Sequence, residues 1–275
     1  METVHDRTYI DARETLLDAV EALGPHGDAV ILVGAQAVYV HTEAEDDSFA
    51  VSPFTYDADL ALDPELLGES PAIVEAMSRA GFRLGDQPGL YSREGLSQVD
   101  LLVPEAVGGP GRRAARLGVH GNRAAMKVRG LEGALVSHRI RKITSLAPGA
   151  DRSCRLKVAG PAALLVSKVH KIGERLDDGN VRRQEQLPKD AFDIYRLLRA
   201  IDTAELAAEI GVLRSHEISS RVTSVALSTF ESLFGSRSDM GTSLLVRSVG
   251  AIEDPAFIVE SSVALSRDLL EAISE

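Results

Sequence analysis

TYDADLALD, residues 55–63, alternates acidic and apolar residues, a pattern that predicts a β-strand. Asp57 and Asp59 fall on one face of this strand, while Ala58 and Leu60 fall on the other. Two carboxylates at positions i and i+2 point to the same side, which suits a hard divalent cation such as Mg²⁺. Exposed strands also carry alternating acids without any metal, so the neighbouring segments must decide between these interpretations.

The segments on either side strengthen the metal interpretation. Residues 28–34, DAVILVG, predict a short buried strand ending at a glycine, and residues 35–42, AQAVYVHT, predict a following helix. Residues 96–104, LSQVDLLVP, predict another strand, in which Asp100 is the single acid among apolar neighbours. We expect Asp100 to join the first two acids as a third ligand, leaving coordination positions for water and substrate phosphates. This order of elements suits an ATP- or GTP-dependent phosphoryl-transfer site.

The rest of the chain predicts a strand-containing part followed by a helical part. An amphipathic pattern predicts a helix over 7–23, and another helix is expected from about Pro64 to Ala80. From Pro161 onward helical patterns dominate. The other expectations are an acidic loop at 42–48, a Gly/Pro-rich connection at 107–111, the segments AAMKVRG and SCRLKVAG as either strand or helix, and a polar loop at 176–188.

Composition excludes several classes of protein. The 275 residues are 44% hydrophobic and 26% charged, which is typical of globular chains and not of disordered or coiled-coil ones. No apolar run is long enough to span a bilayer and the N-terminus lacks a signal-peptide pattern, so we expect a cytoplasmic protein without a membrane partner. The single cysteine, Cys154, excludes an internal disulfide. The chain also lacks the P-loop, dinucleotide-binding and GxSxG motifs, and its histidines have no zinc-site spacing.

Charge is distributed unevenly along the chain. Residues 1–109 hold 5 Lys/Arg against 21 Asp/Glu, whereas residues 110–175 hold 15 Lys/Arg against 3 Asp/Glu. The basic segment 110–175 either neutralises the acidic N-terminal part or forms a surface for phosphates or nucleic acid. Aromatic residues make up only 4% of the chain and Trp is absent, so we expect no base-stacking platform. Bound RNA would then be held mainly through its phosphates.

These motifs together resemble the nucleotidyltransferase superfamily, which has the polymerase-β-like fold. The superfamily pattern is a strand, a glycine turn, a helix, a DxD strand and a third acid, and Gly34, Asp57, Asp59 and Asp100 match it. More narrowly, the chain resembles the AbiEii/MenT-like group of nucleotidyltransferase toxins. The segments that carry this narrower resemblance are TYDADL at 55–60, LLVSKVHKIGER at 164–175 and KDAFDIYRLL at 189–198.

The resemblance implies a fold and a set of site residues. The fold would be α/β (α+β), with a small mixed sheet of nucleotidyltransferase type over residues 1–159, a helical C-terminal domain over 160–275 and the active site between them. The group's helical lysine and its Lys-Asp-x-x-Asp motif fall on Lys168, Lys189, Asp190 and Asp193. The implied catalytic residues are Asp57, Asp59, Asp100, Lys168 and Asp190, of which the first three would bind metal. The implied nucleotide-binding residues are Gly34, Gln36, Thr55, Lys168, Lys171 and Lys189.

Two of these assignments carry alternatives. Lys168 and Lys171 lie about one helical turn apart, and we favour Lys168 as the phosphate clamp because it occupies the group's position. Thr55 either positions a phosphate or simply suits a strand. The turn reads Gly34-Ala35-Gln36, where the superfamily usually offers a second glycine or a serine.

The resemblance also implies an activity: Mg²⁺-dependent transfer of a nucleoside monophosphate from an NTP to an acceptor. The expected acceptor is the 3′ end of tRNA, held through the basic segment 110–175, in a toxin with a possible antitoxin partner. A small molecule or a protein side chain is the alternative acceptor. The altered turn keeps open a third function, that of a nucleotide-binding or interaction module without catalysis.

Overall fold

A mixed β-sheet forms the centre of the N-terminal part of the protein. The structure, a computed structural model, describes residues 7–49, 51–94, 97–178, 184–250 and 252–274. The strands are β1 (Val30–Val33), β2 (Asp57–Leu62), β3 (Arg83–Leu84), β4 (Leu90–Ser92), β5 (Gln98–Pro104), β6 (Met126–Val128), β7 (His138–Thr144) and β8 (Ser153–Ala159). Over these described residues the strand order is β3-β4-β5-β2-β1-β8-β7, and β6 pairs with β5. The mixed α/β class expected from the sequence is thereby confirmed.

The three central strands are held in register by their apolar faces. Every residue of β1 is buried, and β1 pairs antiparallel with β2 so that Val33 lies opposite Asp59. On its other side β2 pairs parallel with β5, which places Asp59 directly beside Asp100. Leu60 and Leu101 are fully buried, because the side chains that alternate with the acids form the core.

Helices cover the sheet and then continue as a bundle. The helices are α1 (Arg7–Ala22), α2 (Gly34–Thr42), α3 (Ile73–Arg79), α4 (Glu132–Val136), α5 (Pro161–Asp178), α6 (Leu187–Ala200), α7 (Thr203–Ser215), α8 (Ser220–Phe234), α9 (Met240–Val249) and α10 (Pro255–Ser274). Helix α2 packs on α5 and α6, and α6 packs on α9, so the bundle is joined to the sheet through α2. Buried apolar residues run without a break from the sheet into the bundle. The C-terminal helical bundle expected from the sequence is confirmed.

One predicted helix is wrong over more than half of its length. The sequence predicted a helix from about Pro64 to Ala80, but α3 begins only at Ile73. The reason is that Pro71 disfavours helical backbone at the residue before it, and Pro71 also uses its carbonyl oxygen to contact His26 Nε2 at 2.9 Å. The preceding residues form turns instead.

Other differences concern loops and the weakly patterned segments. The acidic loop at 42–48 contains a 3₁₀ helix over Glu43–Ser48. Both ends of the polar loop predicted at 176–188 are helical, since α5 continues to Asp178 and α6 begins at Leu187, and residues 179–183 of this prediction lie outside the described residues. The two segments left open between strand and helix contain strands β6 and β8. Within the described residues, no helix is both long and apolar enough to cross a membrane.

Candidate functional site

Three carboxylates meet at the end of the central strands. Asp57 and Asp59 come from β2 and Asp100 comes from β5, and one carboxylate oxygen of each lies within 4.8 Å of the others. The period of a strand puts the first two on one face, and the parallel register puts the third beside them. The predicted acidic cluster is therefore assembled, and all three side chains are half-buried.

Gly34 makes room for this cluster. It follows β1 with φ +67°, a conformation that side chains rarely adopt, and it starts α2. A Cβ atom added here would lie 2.7 Å from Cγ of Asp59 and closer still to its Oδ2. The predicted glycine turn thus has a steric cause, because the Asp59 carboxylate occupies the space that a side chain at position 34 would need.

Crowding changes the acidity of two of the carboxyls. Burial, together with the neighbouring charge of Asp57, raises the pKa of Asp59 to about 6. Burial, followed by the charges of Asp59 and Asp57, raises the pKa of Asp100 to about 7. A cation between these groups would relieve both the repulsion and the cost of burying charge.

Neighbouring side chains position Asp57 from behind. The buried Thr55 donates a hydrogen bond from Oγ1 to Oδ1 of Asp57 over 2.7 Å. The amide nitrogen of Gln36 donates to the backbone oxygens of Asp57 and Ala12, both at 3.0 Å. Gln36 in turn accepts a 2.9 Å hydrogen bond from the buried Arg13. Thr55 and Gln36 therefore position Asp57, and the Gln36 side chain, predicted to contact nucleotide, makes its hydrogen bonds inside the protein.

A cavity of about 610 Å³ is lined by Asp57 and Asp59 and lies between residues of the N-terminal part and residues of the helical bundle. The N-terminal part lines it with Ala35, Tyr39, Val51, Ser52, Phe54, Thr55, Tyr56, Asp57, Asp59 and Gln98. The helical part lines it with Lys168, Lys171, Glu185, Gln186, Pro188, Lys189, Asp190, Phe192, Asp193, Arg196, Arg247 and Ser248. A volume of this size is in the usual range for a small-molecule or nucleotide site.

The helical wall contains a buried ion cluster centred on Lys168. Its ammonium group contacts Asp190 Oδ1 at 2.8 Å and Asp193 Oδ2 at 2.5 Å, and all three side chains are at most 3% exposed. Arg175 adds a 2.8 Å contact to the second oxygen of Asp190. The predicted lysine and Lys-Asp-x-x-Asp motif are thus brought together, but as an internal cluster that joins α5 to α6.

The charges in this cluster are fixed by each other. Burial opposes the charged form of Lys168, but the two aspartates outweigh it and hold its pKa well above the usual range. Burial likewise opposes ionised Asp190 and Asp193, yet Lys168 and the other neighbouring cations hold both pKa values below the usual range. Lys168 therefore stays protonated and paired, and two of its three hydrogen-bond donors are already used.

Other cations have more accessible positions on the cavity wall. The side chain of Lys171 is 39% exposed and contacts Asp190 at 3.3 Å, while that of Lys189 is 33% exposed and lies 3.5 Å from Asp193. The charge of Lys171 also lowers the pKa of both Asp59 and Asp100. Both lysines weighed from the sequence line the cavity, and Lys171 is the more exposed of the two.

Sequence reasoning missed Tyr39, Tyr56 and Arg247 of the cavity wall, and it missed Arg175 of the neighbouring ion cluster. Arg175 had a signal, since it continues the helical spacing of Lys168 and Lys171 along one face of α5. Arg247 had no signal in the sequence. It lies on α9, more than 50 residues after Arg196, and only tertiary packing brings it to the cavity. Tyr39 and Tyr56 were missed because the chain contains so few aromatic residues.

The basic segment divides between internal and external roles. Arg152 pairs with Asp18 and Glu21 of α1, as expected if the segment neutralises the acidic part. Other side chains hold nearby loops: Arg116, Arg123 and Lys127 donate to backbone oxygens. In contrast, Arg139, Arg141, Lys142 and Arg155 of β7 and β8 are exposed. Arg152 therefore supports neutralisation of the acidic part, and the exposed cations of β7 and β8 support a surface for phosphates or nucleic acid.

The donor set fits a hard divalent cation. Three carboxylates supply only oxygen ligands, and Mg²⁺ is commonly held by a few carboxylates together with water and phosphate oxygens. Comparison with models of known protein families gives no match for this chain, and comparison with curated proteins gives none either. The functional argument therefore depends on the geometry of the site.

Proposed function

We propose that the protein is a Mg²⁺-dependent nucleotidyltransferase that moves a nucleoside monophosphate from an NTP to an acceptor hydroxyl. The observation that carries this proposal is the convergence of Asp57, Asp59 and Asp100, the first two of which line a cavity that also has cations in its wall. Metal-binding carboxylates facing cations are the charge pattern that a polyphosphate ester requires, because the ester bridges the two.

The acidic side of the site would hold the metal. Asp57, Asp59 and Asp100 would bind Mg²⁺, which supplies charge neutralisation and Lewis acidity at phosphate oxygens. Thr55 keeps the Asp57 carboxylate oriented through its 2.7 Å hydrogen bond. Gly34 leaves the Asp59 carboxylate its space.

The basic side would hold the phosphates. Lys171 and Lys189 line the cavity with partly exposed side chains, and the exposed Arg247 lines it from α9. They would neutralise the charge that develops on the leaving pyrophosphate. Lys168 would act indirectly, by fixing α5 against α6 so that Lys171 and Lys189 keep their positions.

The reaction would form one phosphoester bond and break one phosphoanhydride bond. The acceptor oxygen attacks the α-phosphorus, its proton leaves to a base, and pyrophosphate departs. Asp100 would be the carboxylate that receives this proton, because it lies beside Asp57 and Asp59. It would do so when it is not occupied as a metal ligand.

The proposed acceptor is the 3′ end of tRNA. The support for this acceptor is the exposed cationic group on β7 and β8, namely Arg139, Arg141, Lys142 and Arg155. In the sheet, β7 is three strands away from β2, a distance of about 14 Å at the usual spacing between strands. A few nucleotides can span that distance, so phosphates upstream of a 3′ end could contact this edge. An antitoxin partner stays a prediction.

The test is a transfer assay with purified protein, Mg²⁺, total tRNA and each α-³²P-labelled NTP in turn. We expect label on the tRNA with the unaltered protein and none with Asp57→Ala. Asp28→Asn is the matched control, because Asp28 is an exposed acid next to the same sheet and outside the cluster. Transfer that persists in Asp57→Ala, or an absence of label with every NTP and acceptor, would contradict the proposal.

A further inference from the structure

Aromatic side chains are concentrated at one cavity. The chain has only 5 Tyr and 7 Phe, yet Tyr39, Phe54, Tyr56 and Phe192 all line the cavity beside the carboxylates. A low aromatic content led us to expect no base-stacking platform, but the content of the whole chain is a poor guide when the fold gathers a third of these residues at one place.

Tyr56 differs from the other aromatic residues of this cavity. It is 64% exposed, whereas Tyr39 is 4% exposed and Phe192 is 5% exposed. An exposed tyrosine beside a polar site leaves a large apolar ring in water, which a ligand could cover. Tyr56 also directly precedes Asp57, so a molecule on this ring would lie next to the metal ligands.

The Tyr56 ring is supported rather than free. It packs edge-to-face against Phe54, with ring centroids 4.6 Å apart and an interplanar angle of 84°. The backbone oxygen of Phe54 accepts a 2.7 Å hydrogen bond from the Tyr39 hydroxyl. Burial raises the pKa of Tyr39 well above its usual range, so this hydroxyl stays protonated and continues to donate. A ring held in this way loses little conformational freedom when a ligand stacks on it.

We propose that Tyr56 is a stacking platform for a nucleobase, an assignment that rests on the proposed function. A nucleotide whose phosphates lie between the carboxylates and Lys171 has an aromatic base at its other end, and Tyr56 is the exposed ring nearest in sequence to the acids. Stacking on a tyrosine accepts every base, because each base has a π-face. The platform therefore strengthens binding without selecting strongly among bases.

The base could belong to the donor NTP or to the end of the acceptor RNA, and calorimetry separates these sources. We would titrate α,β-methylene-ATP, inorganic tripolyphosphate and a short single-stranded RNA into the protein with Mg²⁺. The variants are Tyr56→Ala and Tyr56→Phe. Phe257→Ala is the matched control, because Phe257 is a 52% exposed aromatic on α10, outside the cavity.

We expect Tyr56→Ala to weaken binding of the ATP analogue about 5- to 150-fold, the range found for loss of one stacked base. Tripolyphosphate, which has no base, should bind equally to all forms. Tyr56→Phe and Phe257→Ala should behave like the unaltered protein. If Tyr56→Ala weakens only the RNA, the stacked base is that of the acceptor and the platform still stands.

The proposal is overturned if Tyr56→Ala binds both the ATP analogue and the RNA as the unaltered protein does. That result leaves the nucleotidyltransferase function intact as long as tripolyphosphate and the analogue bind with Mg²⁺ and lose affinity in Asp57→Ala. If the unaltered protein binds neither of them, the proposed function fails and the platform fails with it. Thermal unfolding of each variant checks that the fold is retained.

Discussion

At the scale of single residues, the Asp59 side chain fills space that a side chain at position 34 would need. The carboxylate of Asp59 lies where a Cβ atom at position 34 would be, and the backbone of Gly34 has φ +67°. The Asp59 carboxylate can therefore keep this position only because residue 34, at the start of α2, has no side chain.

We predict that Gly34→Ala displaces the Asp59 carboxylate and weakens Mg²⁺ binding at least tenfold. The left-handed backbone conformation should also cost about 1–2 kcal/mol of stability. Gly211→Ala is the control, because Gly211 lies within α7 and the position of an added Cβ atom is open. This substitution should be neutral or slightly stabilising. Metal titration and urea unfolding measure the two effects, and unchanged metal affinity in Gly34→Ala would contradict this account.

The carboxylate cluster also predicts a pH dependence. The pKa values of Asp59 and Asp100 are raised to about 6 and about 7, above the 3.8 of an unperturbed aspartate. The folded state therefore binds more protons than the unfolded state between about pH 4 and 7, so this pair makes the metal-free protein less stable as pH rises through that range. Burial lowers the pKa values of His41 and His120. These two histidines therefore have the opposite effect, and the folded state becomes more stable as pH rises through their range.

Asp100→Asn isolates the contribution of the cluster. In EDTA we expect this variant to be more stable than the unaltered protein at pH 8, by roughly 1–3 kcal/mol, since it removes one repelling charge. At pH 4.5 the two should be nearly equal. Added Mg²⁺ should stabilise the unaltered protein at pH 8 and leave the variant unaffected. Urea unfolding tests this, and equal stability at pH 8 without metal would count against the raised pKa values.

The sequence predicts the acidic residues of the site better than the basic ones. Asp57 and Asp59 share a face because a strand has a period of two, which is local information. The difference between Lys168 and Lys171 depends on where α6 packs against α5, and no pattern within α5 reports that. Arg247 was unpredictable for the same reason, because the packing of α9 brings it to the cavity.

At the scale of elements, α5 and α6 are joined by charges rather than by apolar packing alone. Lys168 of α5 contacts Asp190 and Asp193 of α6, and Arg175 contacts Asp190 from the next turns of α5. A buried charge left without its partner is costly, so this junction is intolerant of single substitutions. The position of the whole helical wall of the cavity follows from it.

We predict that Lys168→Met lowers the free energy of unfolding by about 3–5 kcal/mol, because it leaves two buried carboxylates without their shared cation. Lys171→Met, one turn further along the same helix, should cost less than about 1 kcal/mol and should instead weaken binding of tripolyphosphate. Urea unfolding and calorimetry on both variants check the pair. A stable Lys168→Met with lost phosphate binding would return the clamp role to Lys168.

Elements with a strong pattern were predictable, whereas elements stabilised by their partners were not. Strand β2 and helix α5 have clear periodicity, strands β1 and β5 are short apolar runs, and the structure confirms all four. The short hairpin of β3 and β4 has too few residues to show a period, and it is held by pairing with β5. Strand β7 has basic residues on both faces, so its alternation is hidden.

At the scale of the whole molecule, charge is sorted in space. The chain has a net charge of -11, yet four exposed cations gather on β7 and β8, the end of the sheet away from β3. Internal pairing of Arg152 with α1 removes part of the basic segment from solvent. The total charge would therefore mislead about which surface attracts an anionic polymer.

We predict that the double variant Arg139→Glu with Arg141→Glu weakens RNA binding and lowers the slope of log affinity against log salt by about 1 for each lost phosphate contact. Arg221→Glu with Arg267→Glu is the control, because it makes the same change in net charge at exposed residues of α8 and α10. Fluorescence anisotropy at several salt concentrations measures both. Equal losses in the two variants would mean that only net charge matters.

The position of β7 has a further consequence for handling the protein. No strand lies on the outer side of β7 among the described residues, so its backbone is open to a second copy, and Ile140 at its middle is 57% exposed. Repulsion between the arginines of two copies opposes this pairing at moderate ionic strength. Screening shortens to about 3 Å in 1 M salt, which removes that protection. Concentrated salt should therefore promote aggregation of this protein during storage, and dilute buffer should keep it dispersed.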